Sequence, residues 1–578
     1  MSDITATAPM RRIVLDRITN DFDPEHDLPL GPWNFLGAED VYGGWENLPF
    51  VPTFDGSEKL IASDRCHLLI EHQILRLARI LNERHGRQYG PLFWRIILTP
   101  WVITVVHQSW RTFIHARKFI SRYGNEALSF PAYEKVVEWD FVDYEDFFYR
   151  GFSGLEFSAW FFSQVFQEMR PQAWKAINAP LSVPLPRKNA ARVITSSGMV
   201  PVRRILRSHL DRLPFTNVIG VGFEKLLFSA FLKALPCRES PDKSILPRDS
   251  DPETYFPAGY LAILNWLLDV AMPRPLRQDF EKFEKEAAKQ KFKKGRLQIG
   301  APDAVNTKER FHVAMAAERG QKIIMSQHGG AYGTLRIIAT APHAEYPHHA
   351  FITWGWKRQE DHGCNALPLP SPFLSKLRDR HSSRDDSLIL VGTRMTPGTP
   401  AIFSSPEPEE WLEYRRDKVA FVQALQSSAR AALMYRPYSR ADSALDDEPF
   451  MRGNVGDLNI QRGDLHEAML GCRLLVLDHP MTTLHIAMAA NVPTIGFWLD
   501  DAWPLCRQAE PIFGALRSAK ILFDGPEPAA EHVNEVWGDV TKWWLDPFTR
   551  QARQDFCDQY ALTSRTWWWD WLKAFYKV

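Results

Sequence analysis

Between Arg65 and Tyr123 the apolar positions Leu68, Ile70, Ile74, Leu75, Leu77 and Ile80 recur every three or four residues, with Glu71, Arg76 and Arg79 between them. That spacing predicts helix with one face turned to a core. Two denser apolar runs follow, Pro91–His107 and Ala258–Met272. Arg95 and Pro100 interrupt the first, Asn265 and Asp269 the second, so both predict buried helices rather than membrane spans. Tyr144–Trp174 is aromatic-rich and reads as helical, Pro180–Pro186 as a connector, and Phe223–Leu235 and Tyr260–Val270 as further helices. Residues 20–60, rich in Pro, Gly, Asp and Trp, predict irregular structure or short strands. Phe280–Arg296 predicts a solvated, lysine-rich helix.

The pattern then changes. Leu297–Ile299 and Lys322–Ser326 read as strands flanking a helix at Glu309–Arg319, which Gly320 ends. Further short apolar or β-branched runs occur at Ala350–Trp354, Leu388–Gly392, Ala432–Tyr435, Leu474–Leu477, Pro493–Phe497 and Ile521–Phe523. Helical stretches separate them at Glu409–Gln426, Asp464–Leu470 and Thr482–Ala490. Strands alternating with helices predict a parallel α/β sheet, and an unbroken run such as Leu474-Leu475-Val476-Leu477 suits a strand buried on both faces. The segment Ala341–His349, with two prolines and three histidines, reads as a connector and a domain boundary. Pro528–Tyr576 reads as helical and aromatic.

A chain of 578 residues is too long for one core and predicts two or three domains. Lys and Arg number 69 and Asp and Glu 69, so no basic excess argues for wrapping nucleic acid. The six cysteines are scattered and form no C-x-x-C pair, which removes zinc-ribbon and thioredoxin-type readings and suits a reducing compartment. No apolar core follows the polar first residues, so no signal peptide is expected. Trp is abundant at 21, with six in the tail between Trp543 and Trp571, where core packing or an interfacial anchor are the two readings.

Candidate chemistry gathers at strand ends. Lys322–Ser326 runs into Gln327-His328-Gly329-Gly330, placing a titratable imidazole in a glycine-rich loop where open α/β sheets hold ligands. Leu474–Leu477 runs into Asp478-His479-Pro480, and Thr482 and Thr483 open the next helix. Hydroxyls and unpaired N–H groups at a helix N-terminus favour an anion such as phosphate; a plain helix cap is the other reading. Arg436 and Arg394 stand just past two other strands and suit a phosphate or carboxylate. Asp385-Asp386 and Asp446-Asp447 read as solvated loop residues, and no Asp-x-Asp stands out as a metal site.

The order of these motifs resembles a family of transferases of bacterial O-antigen and surface-polysaccharide loci. Gln327-His328-Gly329-Gly330 with Tyr332-Gly333, Ile352-Thr353-Trp354-Gly355-Trp356, Tyr435-Arg436-Pro437, Asp478 with Thr482-Thr483, and Val492-Pro493-Thr494-Ile495 carry the likeness. More distantly the chain is similar to CDP-glycerol glycerophosphotransferases, and its His479-Pro480 and paired threonines to elements of bacterial sialyltransferases. The resemblance implies an α/β, GT-B-like fold: two Rossmann-like domains facing a cleft, a helix-rich N-terminal domain, and a C-terminal helix crossing back. The expected parts are an acceptor-side domain over 1–345, a nucleotide-sugar-binding domain over 346–535, and a helical tail over 536–578. The implied activity is glycosyl transfer from a nucleotide-sugar donor, with a CMP-linked ulosonic acid as one such donor. The acceptor would be a glycan, lipid-linked or protein group. His328 would be the catalytic base, and Gln327, Gly329, Gly330, Arg436, Asp478, His479, Thr482 and Thr483 would bind the donor. No metal, no other cofactor and no nucleic acid are expected. The implied place is the cytoplasm, including its face of the inner membrane, with a peripheral contact there. Different readings on the same frame are an inactive scaffold protein, a phosphotransferase of the glycerophosphotransferase type, or an epimerase relative.

Overall fold

A computed structural model describes residues 10–135, 139–181, 251–289, 297–300, 306–358, 362–395, 401–438 and 445–577. The helix expected at Phe223–Leu235 lies outside them, as do most of the Pro180–Pro186 connector and the end of the Phe280–Arg296 helix.

Fourteen described strands form three sheets, and every strand pairing within them is parallel. The first holds β1 (Arg11–Val14), β2 (Asp27–Pro29), β3 (Leu128–Ala132) and β4 (Lys175–Asn178), in the order β2-β1-β3-β4. Sequence patterning did not reveal this sheet. Its strands carry Arg, Asp, Pro and Lys, and β4 is largely exposed, so no continuous apolar run marks them. The second holds β5 (Leu297–Gly300), β6 (Lys322–Ser326), β7 (Ala350–Thr353) and β8 (Ala366–Pro368), in sequential order. The third holds β9 (Leu388–Val391), β10 (Leu433–Arg436), β11 (Asn459–Ile460), β12 (Leu474–Leu477), β13 (Thr494–Phe497) and β14 (Leu522–Phe523), ordered β11-β10-β9-β12-β13-β14.

Because β7 pairs with β6 and β8 with β7, the change from one sheet to the next falls after Pro368 rather than at residue 345. Residues Ala341–Ala344 make a helical turn where a connector was expected; it buries His343 against the rest of the first half. Strands β7, β9, β12 and β13 are buried along their whole length, as parallel strands covered on both faces should be.

The first half is helix-rich, as the apolar spacing predicts. Two long helices, α1 (Glu58–His85) and α2 (Pro91–Tyr123), replace one pattern. Gly86 stops α1 in the left-handed region at φ 60, and Pro91 starts α2 where its missing N–H is not needed. Helix α3 (Thr307–Glu318) packs on α2, and α4 (Trp411–Ala424) covers the third sheet beside Asp447–Val455 and Pro526–Val536. Helix α5 (Thr482–Ala490) links β12 to β13 and has the predicted limits. Helix α6 (Trp567–Lys577) closes the described chain.

That last helix returns to the second sheet. Trp567, Trp571 and Phe575 pack with Ile324, Ala350, Ile352 and Leu369. Each large apolar side chain buried this way stabilises by about 1.5–3 kcal/mol. The Trp571 indole N–H donates to the Pro370 carbonyl at 2.8 Å, while Trp568 and Trp569 stay exposed. The layout is GT-B-like: parallel α/β sheets in two halves, with the C-terminal helix crossing back to the first. Among the described residues, no helix is long and apolar enough to cross a membrane.

Candidate functional site

In the third sheet the chain runs from β9 outward through β10 to β11, then returns across to β12. Strand order therefore reverses between β9 and β12, and open parallel sheets take ligands in the crevice beyond the carboxyl ends at such a point. Thr393 and Arg394 follow β9, and Asp478 and His479 follow β12. Tyr414, rising from α4, ties the two ends together. Its hydroxyl donates to Asp478 Oδ2 at 2.5 Å and accepts the Thr393 N–H at 2.8 Å. His479 Nδ1 lies 2.7 Å from Asp478 Oδ1. Asp478, His479 and Tyr414 are all buried, so they build the turn rather than line its open side.

Helix α5 begins two residues after Pro480. Met481 occupies its N-cap and supplies no side-chain cap, and Thr482 and Thr483 are half-exposed in its first turn. Thr482 is not a cap. Its Oγ1 accepts the Gly330 N–H at 3.0 Å, across 152 residues of sequence. This bond joins the loop after β6 to the loop after β12, so the carboxyl ends of the second and third sheets meet here.

Each residue of the QHGG loop has a distinct setting. Gln327 is buried, and its amide works inside the loop: Oε1 accepts from the Trp354 N–H and the Trp356 indole N–H, both at 2.9 Å, and Nε2 donates to the Gly329 carbonyl at 2.9 Å. Gln327 therefore holds the loop against the Thr353-Trp354-Gly355-Trp356 turn. A Cβ on Gly330 would lie 2.3 Å from His485 Nδ1. The His485 ring is buried, held between Trp354 and Phe556, and cannot swing away. Gly330→Ala should thus lower stability by about 1–3 kcal/mol through overpacking and break the Thr482 bond. Thermal melting checks it; an unchanged melting temperature would contradict the close approach.

His328 is the loop's exposed side chain. Protein walls crowd its ring, and that desolvation lowers its pKa from the ordinary histidine value, which favours the neutral base. The Tyr332 hydroxyl sits 3.0 Å from His328 Nδ1 and 3.3 Å from Nε2. The same hydroxyl donates to Glu345 Oε1 at 2.9 Å. Burial pushes the Glu345 carboxyl up to about 7 and raises the Tyr332 phenol as well.

The structure thus gathers His328, Gly329, Gly330, Thr482 and Thr483 at one joint, with Asp478 and His479 just beneath. Arg436 is set apart. It stands two strands from Asp478, about 10 Å by the usual strand spacing. Its guanidinium donates to Gln461, to Oε1 at 2.8 Å and to the carbonyl at 3.3 Å. Arg394, on the intervening strand end and exposed, is the nearer cation to the crevice.

Sequence reading assigned no role to Tyr332, Glu345 or Tyr414. Tyr332 follows His328 by four residues, a signal that was available. Glu345 lies in a proline- and histidine-rich stretch without periodicity, and Tyr414 is one aromatic among several on a helix. Asp447, expected to be solvated, is buried and bonded to Lys418, Arg415 and Tyr435.

The profile of the LIC12162 family transferase matches residues 11–575. No curated protein matches the chain by sequence. Among solved structures it is similar to WaaG, a glycosyltransferase involved in lipopolysaccharide biosynthesis. The identity is 14%, with 57% of this chain and 84% of that one covered at a TM-score of 0.23, a superposition too loose to bear on the site.

Proposed function

The chain belongs to the LIC12162 family of transferases, and from that premise we propose that it is a glycosyltransferase using a nucleotide-activated sugar. The observation that carries this reading is the Gly330 N–H to Thr482 Oγ1 bond, which sets an exposed imidazole beside the first turn of a helix at a strand-order reversal. The α5 N-terminus, the Thr482 and Thr483 hydroxyls and Arg394 would hold the donor's phosphate and receive the negative charge that develops as it leaves. Arg436 would act from further out. His328 would take the proton of an acceptor hydroxyl, that oxygen bonding to the sugar carbon as the nucleotide departs with the electron pair of the broken bond.

Gln327 would position the loop, and Asp478 and His479 the turn, rather than touch the donor. So written, the reaction runs without a resident metal or cofactor. A CMP-linked ulosonic acid is one donor of the required chemistry, and a surface glycan, lipid-linked or protein group the acceptor. A nucleotide-activated donor implies the cytoplasm, where the exposed Trp568 and Trp569 would serve a peripheral contact with the inner membrane.

The test is thermal denaturation with CMP, UDP, GDP and dTDP. A nucleotide at a hundredfold excess over its dissociation constant stabilises by about 2.7 kcal/mol. The Thr482→Ala/Thr483→Ala variant should weaken that binding by about tenfold or more, since a hydrogen bond to a charged group contributes about 1.5–3 kcal/mol. If none of the four binds, or the double variant binds as well as the parent, donor recognition at α5 is excluded.

A further inference from the structure

We infer that Glu345, acting through the Tyr332 hydroxyl, positions His328 and supports the charge it gains on taking up a proton. This rests on the reading of His328 as the base. The three side chains form one line from the open joint into the interior: imidazole, phenol, carboxyl, at 3.0 Å and 2.9 Å. The His328 and Tyr332 rings are 5.1 Å apart at 69°, and the hydroxyl lies close to both ring nitrogens, so the edge of the phenol meets the face of the imidazole.

The direction of donation follows from the ends of this line. The Tyr332 O–H donates to Glu345, so the phenol oxygen has only lone pairs for His328. Those lone pairs lie against the ring, where they favour the imidazolium over the neutral imidazole. When the ring takes the acceptor's proton, the phenol proton stays toward Glu345. No proton leaves Tyr332. The result is an imidazolium and a carboxylate bridged by one hydroxyl.

Glu345 suits this role because it is fully buried and its surroundings balance. Besides Tyr332, the groups around it are Arg310 and Thr340, which favour the anion, and Tyr346 and Cys364, which face the same pocket of charge. A carboxyl there is divided between its two forms near neutral pH, and the anion is the form that supports the imidazolium. Proton uptake by His328 should therefore be easier in the state with Glu345 ionised.

The test needs no substrate. The full-length protein is treated with diethyl pyrocarbonate across the range about pH 5 to 9, which brackets histidine titration. Modification of His328 is read by peptide mass spectrometry. Only neutral imidazole reacts, so the midpoint of rate against pH reports the His328 pKa. Glu345→Gln should lower that midpoint by about half a unit to one unit, which speeds modification about three- to tenfold below it. Tyr332→Phe should lower it too, and adding Glu345→Gln to Tyr332→Phe should shift it no further. A midpoint unmoved in Glu345→Gln overturns the inference. So does a Glu345→Gln shift of equal size with and without the Tyr332 hydroxyl. A purely structural Glu345 would lower the melting temperature and leave the midpoint alone. If His328 is not the base at all, that appears in a transfer assay of His328→Ala and leaves this titration unchanged.

Discussion

Replacing His328 with Ala should slow transfer by about 10²- to 10⁴-fold while the protein folds normally and binds its nucleotide as before. The reason is positional. His328 is exposed at the joint, so its loss opens no hole in the core. The donor-side groups, Thr482 and Thr483, sit on a different element and keep their geometry. The loss should fall on kcat, because a base acts in the transition state and adds little to ground-state affinity. In the parent, acid should reduce the rate only below the lowered histidine pKa, since the neutral imidazole is the working form. With the donor identified from the nucleotide panel, single-turnover rates of parent and variant decide the matter. Equal rates would remove His328 from the chemistry.

The second large effect concerns stability. Lys418 and Asp447 are both buried in the third-sheet half. The Lys418 ammonium donates to Asp447, and Arg415 Nε donates to the same carboxylate at 2.9 Å. Burial alone would raise the Asp447 pKa, but Lys418 and Arg415 outweigh it and hold the carboxyl below its ordinary range. Lys418→Met fills similar volume yet leaves the buried charge half-compensated. Removing one partner of such a pair destabilises by about 3–5 kcal/mol, and the remaining Arg415 should keep this case near the lower end. The pH dependence has a definite sign. A depressed carboxylate pKa stabilises the fold above the unfolded value of about 3.9, and that contribution is lost as pH falls through the folded value. The gap between parent and variant should be widest at neutral pH and narrow in acid. Denaturant unfolding at both pH values measures it; a constant gap would mean the Asp447 charge is not involved. Tyr414 stands one helical turn before Lys418 on α4 and holds Asp478 and Thr393, so the same substitution should also loosen the crevice.

Much of the third sheet was legible because its strands are buried on both faces and read as bare apolar runs. Thr482–Ala490 was found to the residue, and the strands near Leu474 and Leu388 within one. The first sheet was largely invisible: only β2 falls where short strands were expected, and the sheet's strands are short and carry charged residues or Pro. The boundary at 345 failed for a related reason. Prolines and histidines in Ala341–His349 look like a linker, whereas burial of His343 and Glu345 makes that stretch part of the core. Within the site, the meeting of the Gln327–Gly330 loop with Thr482 followed from placing both at strand ends. Strand order could not be read, and it is strand order that puts Arg394 rather than Arg436 beside the crevice. Nor does any local pattern announce Glu345, whose value lies in what surrounds it.

The polypeptide passes between the two halves twice, once after Pro370 and again in the tail, and the two passages touch. The Ser371 N–H donates to the Leu562 carbonyl at 2.9 Å, and the Leu562 N–H to the Trp354 carbonyl at 2.8 Å. Two adjacent crossings form one seam between the halves. Sliding or twisting of the halves would stretch both at once, whereas swinging about the line through them strains neither. That axis runs beside Trp354, close behind Gly330. Such a swing is opposed elsewhere, because Arg111 Nε lies 2.8 Å from Glu407 Oε2 and the Thr53 hydroxyl donates to Glu409 at 2.9 Å, so the imidazole and the threonine hydroxyls are kept in register by bonds at more than one place.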